Sequence, residues 1–128
     1  MNIDSGMIAQ IRDSRDIWKL PEILDLKIRS RSFAPPRRVT THGVNREVRE
    51  AVEIEIHVSE PFPIRAVGPV LWVGGEPLTV AENDGKTTYR FLSFQPETLK
   101  TEVPISLSWN VPGSPKKATT FHYQAPSK

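Results

Sequence analysis

Residues 51–58 read Ala51-Val52-Glu53-Ile54-Glu55-Ile56-His57-Val58, and from Val52 onward apolar and polar residues alternate without a fault. Successive side chains of an extended chain point to opposite faces, so this order puts Val52, Ile54, Ile56 and Val58 on one side and Glu53, Glu55 and His57 on the other. A half-buried strand in a central position is the expectation.

The same period of two recurs on both sides of this stretch. Upstream, Leu24, Leu26 and Ile28 alternate with Asp25, Lys27 and Arg29. Between the two strands, residues 34–46 open with Ala34-Pro35-Pro36-Arg37-Arg38 and read as a proline- and arginine-rich connection. Downstream, Pro61 and Pro63 bracket a turn, Ile64 to Val73 forms a strand interrupted by Gly68-Pro69, and Gly74-Gly75 leads to a short strand at Leu78–Ala81. The Gly-Pro pair suggests a bulge or an edge position. Asn83-Asp84-Gly85 is a strong hairpin turn, since these residues accept positive φ. Strands follow at Thr87–Phe94, at Ile105, Leu107 and Trp109, and at Phe121 and Tyr123, with a crossing loop over Gln95–Glu102 and a Pro112-Gly113-Ser114-Pro115 turn.

This makes about seven strands with turn signals between them, an all-β chain expected to form an antiparallel β-sandwich. Twelve prolines against seven glycines fit that class, because proline is tolerated at turns and strand ends but breaks helices. Over residues 22–124 the pattern resembles that of immunoglobulin-like domains, with Trp72 on the third strand where many of them keep a core tryptophan; the paired cysteines are missing. By alternation Trp72 and Trp109 are both expected inside. The resemblance implies a fold and no particular function. Residues 1–21 read as an N-terminal arm or a short helix, with Met7, Ile8, Ile11 and Trp18 near a helical stripe, and residues 22–128 as the sandwich domain.

With 128 residues the chain suits a single domain with its own core. The absence of cysteine excludes disulfides, thiolate metal sites and cysteine nucleophiles. Met1–Gln10 has no basic n-region and no continuous apolar h-region, and no apolar run is long enough to span a bilayer. The expected compartment is the cytoplasm.

Enzymatic signatures do not assemble. His42, His57 and His122 lie on separate segments, and Glu53, Glu55 and His57, though on one strand face, need further converging ligands to hold a metal. The expectation for that face is a solvated charged surface. No pair of facing carboxylates, no nucleophile elbow and no phosphate loop is present. The chain is therefore expected to be no enzyme and to need no cofactor.

Charge is the positive signal. The net charge is only +2, yet Arg29, Arg31, Arg37, Arg38, Arg46 and Arg49 crowd into residues 29–49 against one acid, Glu47. That stretch carries +5 and the remainder −3. Arginine presents a planar fork of donors suited to carboxylate and phosphate. These six residues are the candidate partner-binding set. The competing expectation is that they pair with Glu47, Glu50, Glu53 and Glu55 in an exposed ion-pair face of small energetic weight.

The reading is a non-enzymatic interaction module with a protein partner, as monomer or homodimer and without a membrane role. One alternative is an anionic partner or nucleic-acid backbone held by the arginine stretch, for which Phe33 is the one aromatic available for stacking. The other is a carbohydrate-handling or enzymatic domain with a loop-end cleft. A second candidate surface is Pro61-Phe62-Pro63-Ile64, with Phe62 expected to cap the core end.

Overall fold

The computed structural model describes residues 19–41, 43–63 and 67–126. The expected N-terminal arm or helix, Trp18 included, and His42 lie outside the described residues. The chain is all-β. Among the described residues the strands are β1 (Ile23–Thr41), β2 (Val44–Val58), β3 (Pro69–Val73), β4 (Glu76–Asn83), β5 (Thr88–Ser93), β6 (Pro104–Trp109) and β7 (Lys117–His122), with a 3-10 turn at Pro96–Thr98 in the crossing loop. No helix among the described residues is long and apolar enough to cross a membrane.

The strands form one antiparallel sheet in the order β1-β2-β5-β4-β3-β6-β7, open at β1 and β7. β4 joins its two parts: Glu76–Thr79 pairs with β3, whereas Val80, Glu82 and Asn83 pair with β5. A single apolar core takes Ile54 and Ile56 from β2, Phe91 from β5, Leu71 and Val73 from β3, and Ile105, Leu107 and Trp109 from β6. Strands far apart in hydrogen-bonding order therefore share one interior.

The alternation of residues 51–58 is realised as expected. Val52, Ile54, Ile56 and Val58 are buried in the core, and β2 lies between β1 and β5. The β4–β5 hairpin also follows its turn residues. Gly85 takes φ +75°, the Asn83 carboxamide oxygen accepts from the Gly85 N–H, and the Asp84 carboxylate accepts from Lys86 and Thr88 N–H. Phe62 caps the core end as expected, 4% exposed and edge-on to Tyr89 and Trp109.

Four local expectations are corrected. Leu24 is turned out to solvent at 59% exposure, because a bulge between Ile23 and Asp25 inserts one residue and shifts the alternation; Ile23, Leu26 and Ile28 pack on the core instead. Gly68-Pro69 does not mark an edge: Pro69 is the first residue of β3, a position that needs no ladder donor, and β3 runs between β4 and β6. Trp72 is not a core residue. Leu71 and Val73 take the inward positions of β3, which leaves Trp72 half-buried on the opposite face, opposite Pro77 and Ser106 in the ladder. Residues 34–46 are not a loop, since β1 continues to Thr41 and β2 begins at Val44.

Candidate functional site

The last correction decides where the arginines lie. β1 and β2 remain paired through Arg37↔Val48, Arg38↔Glu47, Val39↔Arg46, Thr40↔Asn45 and Thr41↔Val44, with Gly43 at φ +78° in the connection. Pro35 and Pro36 are absorbed by the irregularity between Ser32 and Arg37. Proline is tolerated there because β1 is an edge strand and the missing N–H has no partner strand to serve. β2 meets β5 only over Val52–His57. Beyond Val52 the hairpin is thus a two-stranded ribbon, and Arg37 and Arg38 lie on its first strand.

At the base of the ribbon the arginines are neutralised. Arg29 Nε lies 2.9 Å from Glu53 and its Nη2 3.6 Å from Glu55. Arg31 Nη1 reaches Glu53 at 3.3 Å and Glu82 at 2.8 Å, and Arg90 Nε reaches Glu55 at 2.8 Å with its Nη1 3.6 Å from Glu82. Three arginines and three glutamates from β1, β2, β4 and β5 make a balanced network. The register explains it, for Arg29 faces Glu53 directly and Glu55 faces Arg90. Glu82 is held below the ordinary carboxylate value, first by the hydrogen bond from Arg31 and then by the positive charges of Arg31, Arg90 and Arg37. The Arg90 guanidinium is correspondingly held above its ordinary value, chiefly by its hydrogen bond to Glu55.

This face differs from the solvated surface expected for Glu53 and Glu55. Glu53 is only 4% exposed, covered by the arginine side chains, and Glu55 is half-buried. Glu82 and Arg90 had no signal in the sequence. They come from strands far along the chain, and only the sheet order brings them to Arg31 and Glu55. Among the described residues no group of three or more histidines, aspartates and glutamates could hold a metal ion.

Toward the tip the situation reverses. Among the described residues, Arg37, Arg38, Arg46 and Arg49 make no ion pair with a carboxylate. Directly opposed residues of an antiparallel ladder share a face, so Arg37, Val39, Arg46 and Val48 lie on one side and Arg38, Glu47 and Arg49 on the other. The first side is anchored at its root. Phe33 packs on Phe94 at 6.1 Å between ring centroids, the Arg37 guanidinium sits 4.7 Å over Phe33, and Arg46 donates to the Phe94 carbonyl at 3.4 Å. Val48 is buried, whereas Val44 at the tip is 60% exposed. The result is an apolar and basic face on a two-stranded ribbon, with Arg38, Glu47 and Arg49 at its back.

The sugar-platform alternative meets a different geometry at Trp72. Its indole N–H donates to Ser108 Oγ at 2.9 Å, and the Lys116 ammonium sits 3.7 Å over the ring. An open groove beside it, about 560 Å³ in volume, runs between Val70, Pro77, Thr79, Ser108 and the Asn110–Ser114 turn. The ring is pinned and its face is taken by a cation of the same chain.

No protein-family model, curated protein or solved structure matches this chain, so its own geometry carries the functional reading.

Proposed function

We propose that this chain is a non-enzymatic, immunoglobulin-like interaction module that docks an acidic protein partner through the arginine-bearing ribbon of β1 and β2. The strand order supports the fold part of this reading. Lettered in chain order, β1-β2-β5-β4 and β3-β6-β7 follow the ABED and CFG groupings of constant-type immunoglobulin sheets, with β4 bonded to both groups. The shared core of β2, β5, β3 and β6 fits two facing sheets.

The observation that carries the functional part is the contrast within the six arginines. Arg29 and Arg31 are satisfied by Glu53, Glu55 and Glu82, while Arg37, Arg38, Arg46 and Arg49 make no ion pair with a carboxylate among the described residues. Interfaces are enriched in arginine, and on this face Arg37 and Arg46 stand beside the side chains of Val39 and Val44, with Val48 buried beneath them. A nucleic acid held by base stacking is less well matched, because Phe33 is packed against Phe94. The non-enzymatic part is supported by Glu53, Glu55 and Glu82 being engaged as ion-pair partners of arginine.

The test is fluorescence anisotropy of labelled polyglutamate and of labelled duplex DNA, titrated with the full chain at low and moderate salt. Polyglutamate should bind in a salt-sensitive manner, and Arg37→Ser with Arg38→Ser should weaken it by at least about tenfold, as expected when charge-assisted hydrogen bonds are lost. DNA bound more tightly than polyglutamate would replace the protein partner with a nucleic acid. Binding to neither, or binding unchanged in the double variant, would remove the ribbon as a docking site.

A further inference from the structure

The two long edges of the ribbon are not equivalent. The outer edge of β1 is broken by Pro35 and Pro36, which have no N–H to offer, and by the register shift between Ser32 and Arg37. Both features deter strand addition. The opposite edge belongs to β2. β5 covers that edge over Val52–His57, so Val44 to Ala51 has β1 on one side and no strand on the other among the described residues. This stretch contains neither proline nor glycine, and its pairing with β1 from Val44 to Val48 runs in unbroken register. Unpaired main-chain groups along such an edge are a template for a further strand.

The order of charges along the edge selects that strand. Arg46-Glu47-Val48-Arg49-Glu50 inverts its signs on reflection about Val48. An antiparallel copy of the same strand, centred there, sets Arg46 against Glu50 and Glu47 against Arg49, each twice. Only alternate residues turn their main-chain groups to a free edge, so two copies of one edge pair about a residue and not between two. Centred on Arg46, Glu47, Arg49 or Glu50 instead, the pairing would set that charge against its own copy. We propose that the β2 edge pairs with the same edge of a second copy of this chain, antiparallel and centred on Val48, giving a continuous sheet in the order β1-β2-β2-β1 about a two-fold axis. The length of the gap agrees with this register. The pairing runs from Asn45 to Ala51, and the next step would put Val44 against Val52, which β5 already holds at Ser93. Antiparallel strands place the two bodies at opposite ends of the seam. Glu47, Arg49 and Glu50 are exposed and Val48 is buried. Arg46 is half-buried and gives one guanidinium nitrogen to the Phe94 carbonyl, a group with donors to spare. The seam takes Arg46 and Arg49 and leaves Arg37 and Arg38, on β1, for the acidic partner, so it goes beyond that reading and does not rest on it.

The test is sedimentation equilibrium of the full chain over a range of concentrations, with circular dichroism to show that each variant is folded. The wild type should be a dimer that dissociates on dilution. Arg49→Glu sets acid against acid at both copies of the 47–49 contact, and Glu47→Arg sets base against base. Each alone should weaken self-association by at least about tenfold. An equimolar mixture of the two variants pairs acids with bases again and should regain the wild-type mass as a heterodimer. Arg46→Glu and Glu50→Arg repeat the test at the other contact. A wild type that stays monomeric at the highest concentration would overturn the proposal. Variants that self-associate as strongly as the wild type would overturn it too, because the contact would lie elsewhere. Folded variants whose mixture stays monomeric would reject the register centred on Val48, and the proposal with it.

Discussion

Two stretches of one ladder, with the same residue type and the same pair of strands, hold their arginines in different surroundings. Near the body, Arg29 and Arg31 of β1 lie over Glu53 and Glu55 of β2, with Glu82 and Arg90 closing the network from β4 and β5. Toward the tip, Arg37 and Arg38 lie opposite Val48 and Glu47, and among the described residues no further strand stands alongside. The difference lies in the company of the strands. Where β5 and β4 widen the sheet, each arginine finds acids on neighbouring strands and becomes a fastening. Where β2 has only β1, the guanidinium groups make no ion pair with a carboxylate among the described residues. Arginine content alone therefore says little about function, and the width of the sheet beneath each arginine says more.

The comparison is broken or sharpened by substitutions placed in each half. The largest effect is expected from Ile54→Ala, which empties a fully buried position of β2 in the anchored half. It should lower stability by about 2–5 kcal/mol. The matching ribbon change, Val39→Ala, removes a half-buried side chain outside the core cluster and should cost less than about 1 kcal/mol. Urea midpoints of the two variants measure this directly, and equal losses would mean that the ribbon is as much part of the folded unit as the body.

A smaller effect is expected from Glu53→Gln. The carboxylate is buried beneath Arg29 and Arg31, and its neutral isostere keeps the shape but loses the charge-assisted bonds, a cost of about 1–3 kcal/mol. Arg38→Ser in the free half should change stability by no more than about 0.5 kcal/mol. If Arg38→Ser proved as damaging as Glu53→Gln, the tip arginine would be structural and the contrast between the halves would fail.

The smallest effect is a pH dependence. Arg31 and its neighbouring charges hold folded Glu82 below its ordinary value of 4.5. A depressed carboxylate contributes stability that is full above the unfolded value and is lost as the pH falls through the folded one. The wild type should therefore lose stability on acidification below about pH 4.5, and Glu82→Gln should flatten part of that slope. Some slope should remain, because Asp84 is also held low, by the N–H groups of Thr88 and then Lys86. A slope unchanged by Glu82→Gln would detach Glu82 from the network.

Local pattern was enough wherever the reason for a conformation was local. The alternation of Val52 to Val58 announced β2 and its buried face, and Asn83-Asp84-Gly85 announced its hairpin through side-chain bonds to the next few amides. It failed where one residue or one strand changed the frame. A bulge at Ile23–Asp25 sent Leu24 outward, and the phase of β3 put Leu71 and Val73, not Trp72, into the core. Alternation gives a phase only relative to itself, so a single inserted residue reverses it. The prolines of residues 34–36 looked like the start of a loop because proline cannot serve an interior ladder; on an edge strand with a bulge it has nothing to serve.

From its sequence alone, then, this chain carries its all-β class, the face that β2 buries, the freedom from cysteine chemistry and the concentration of arginine between residues 29 and 49. Those properties depend on residue type and on near-neighbour periodicity. Tertiary structure decided which arginines meet Glu53, Glu55 and Glu82 and which, among the described residues, have no carboxylate partner along the ribbon. That division depends on sheet order and on where β5 ends, and both are set by packing between strands far apart in the chain, to which no local spacing of residues is sensitive.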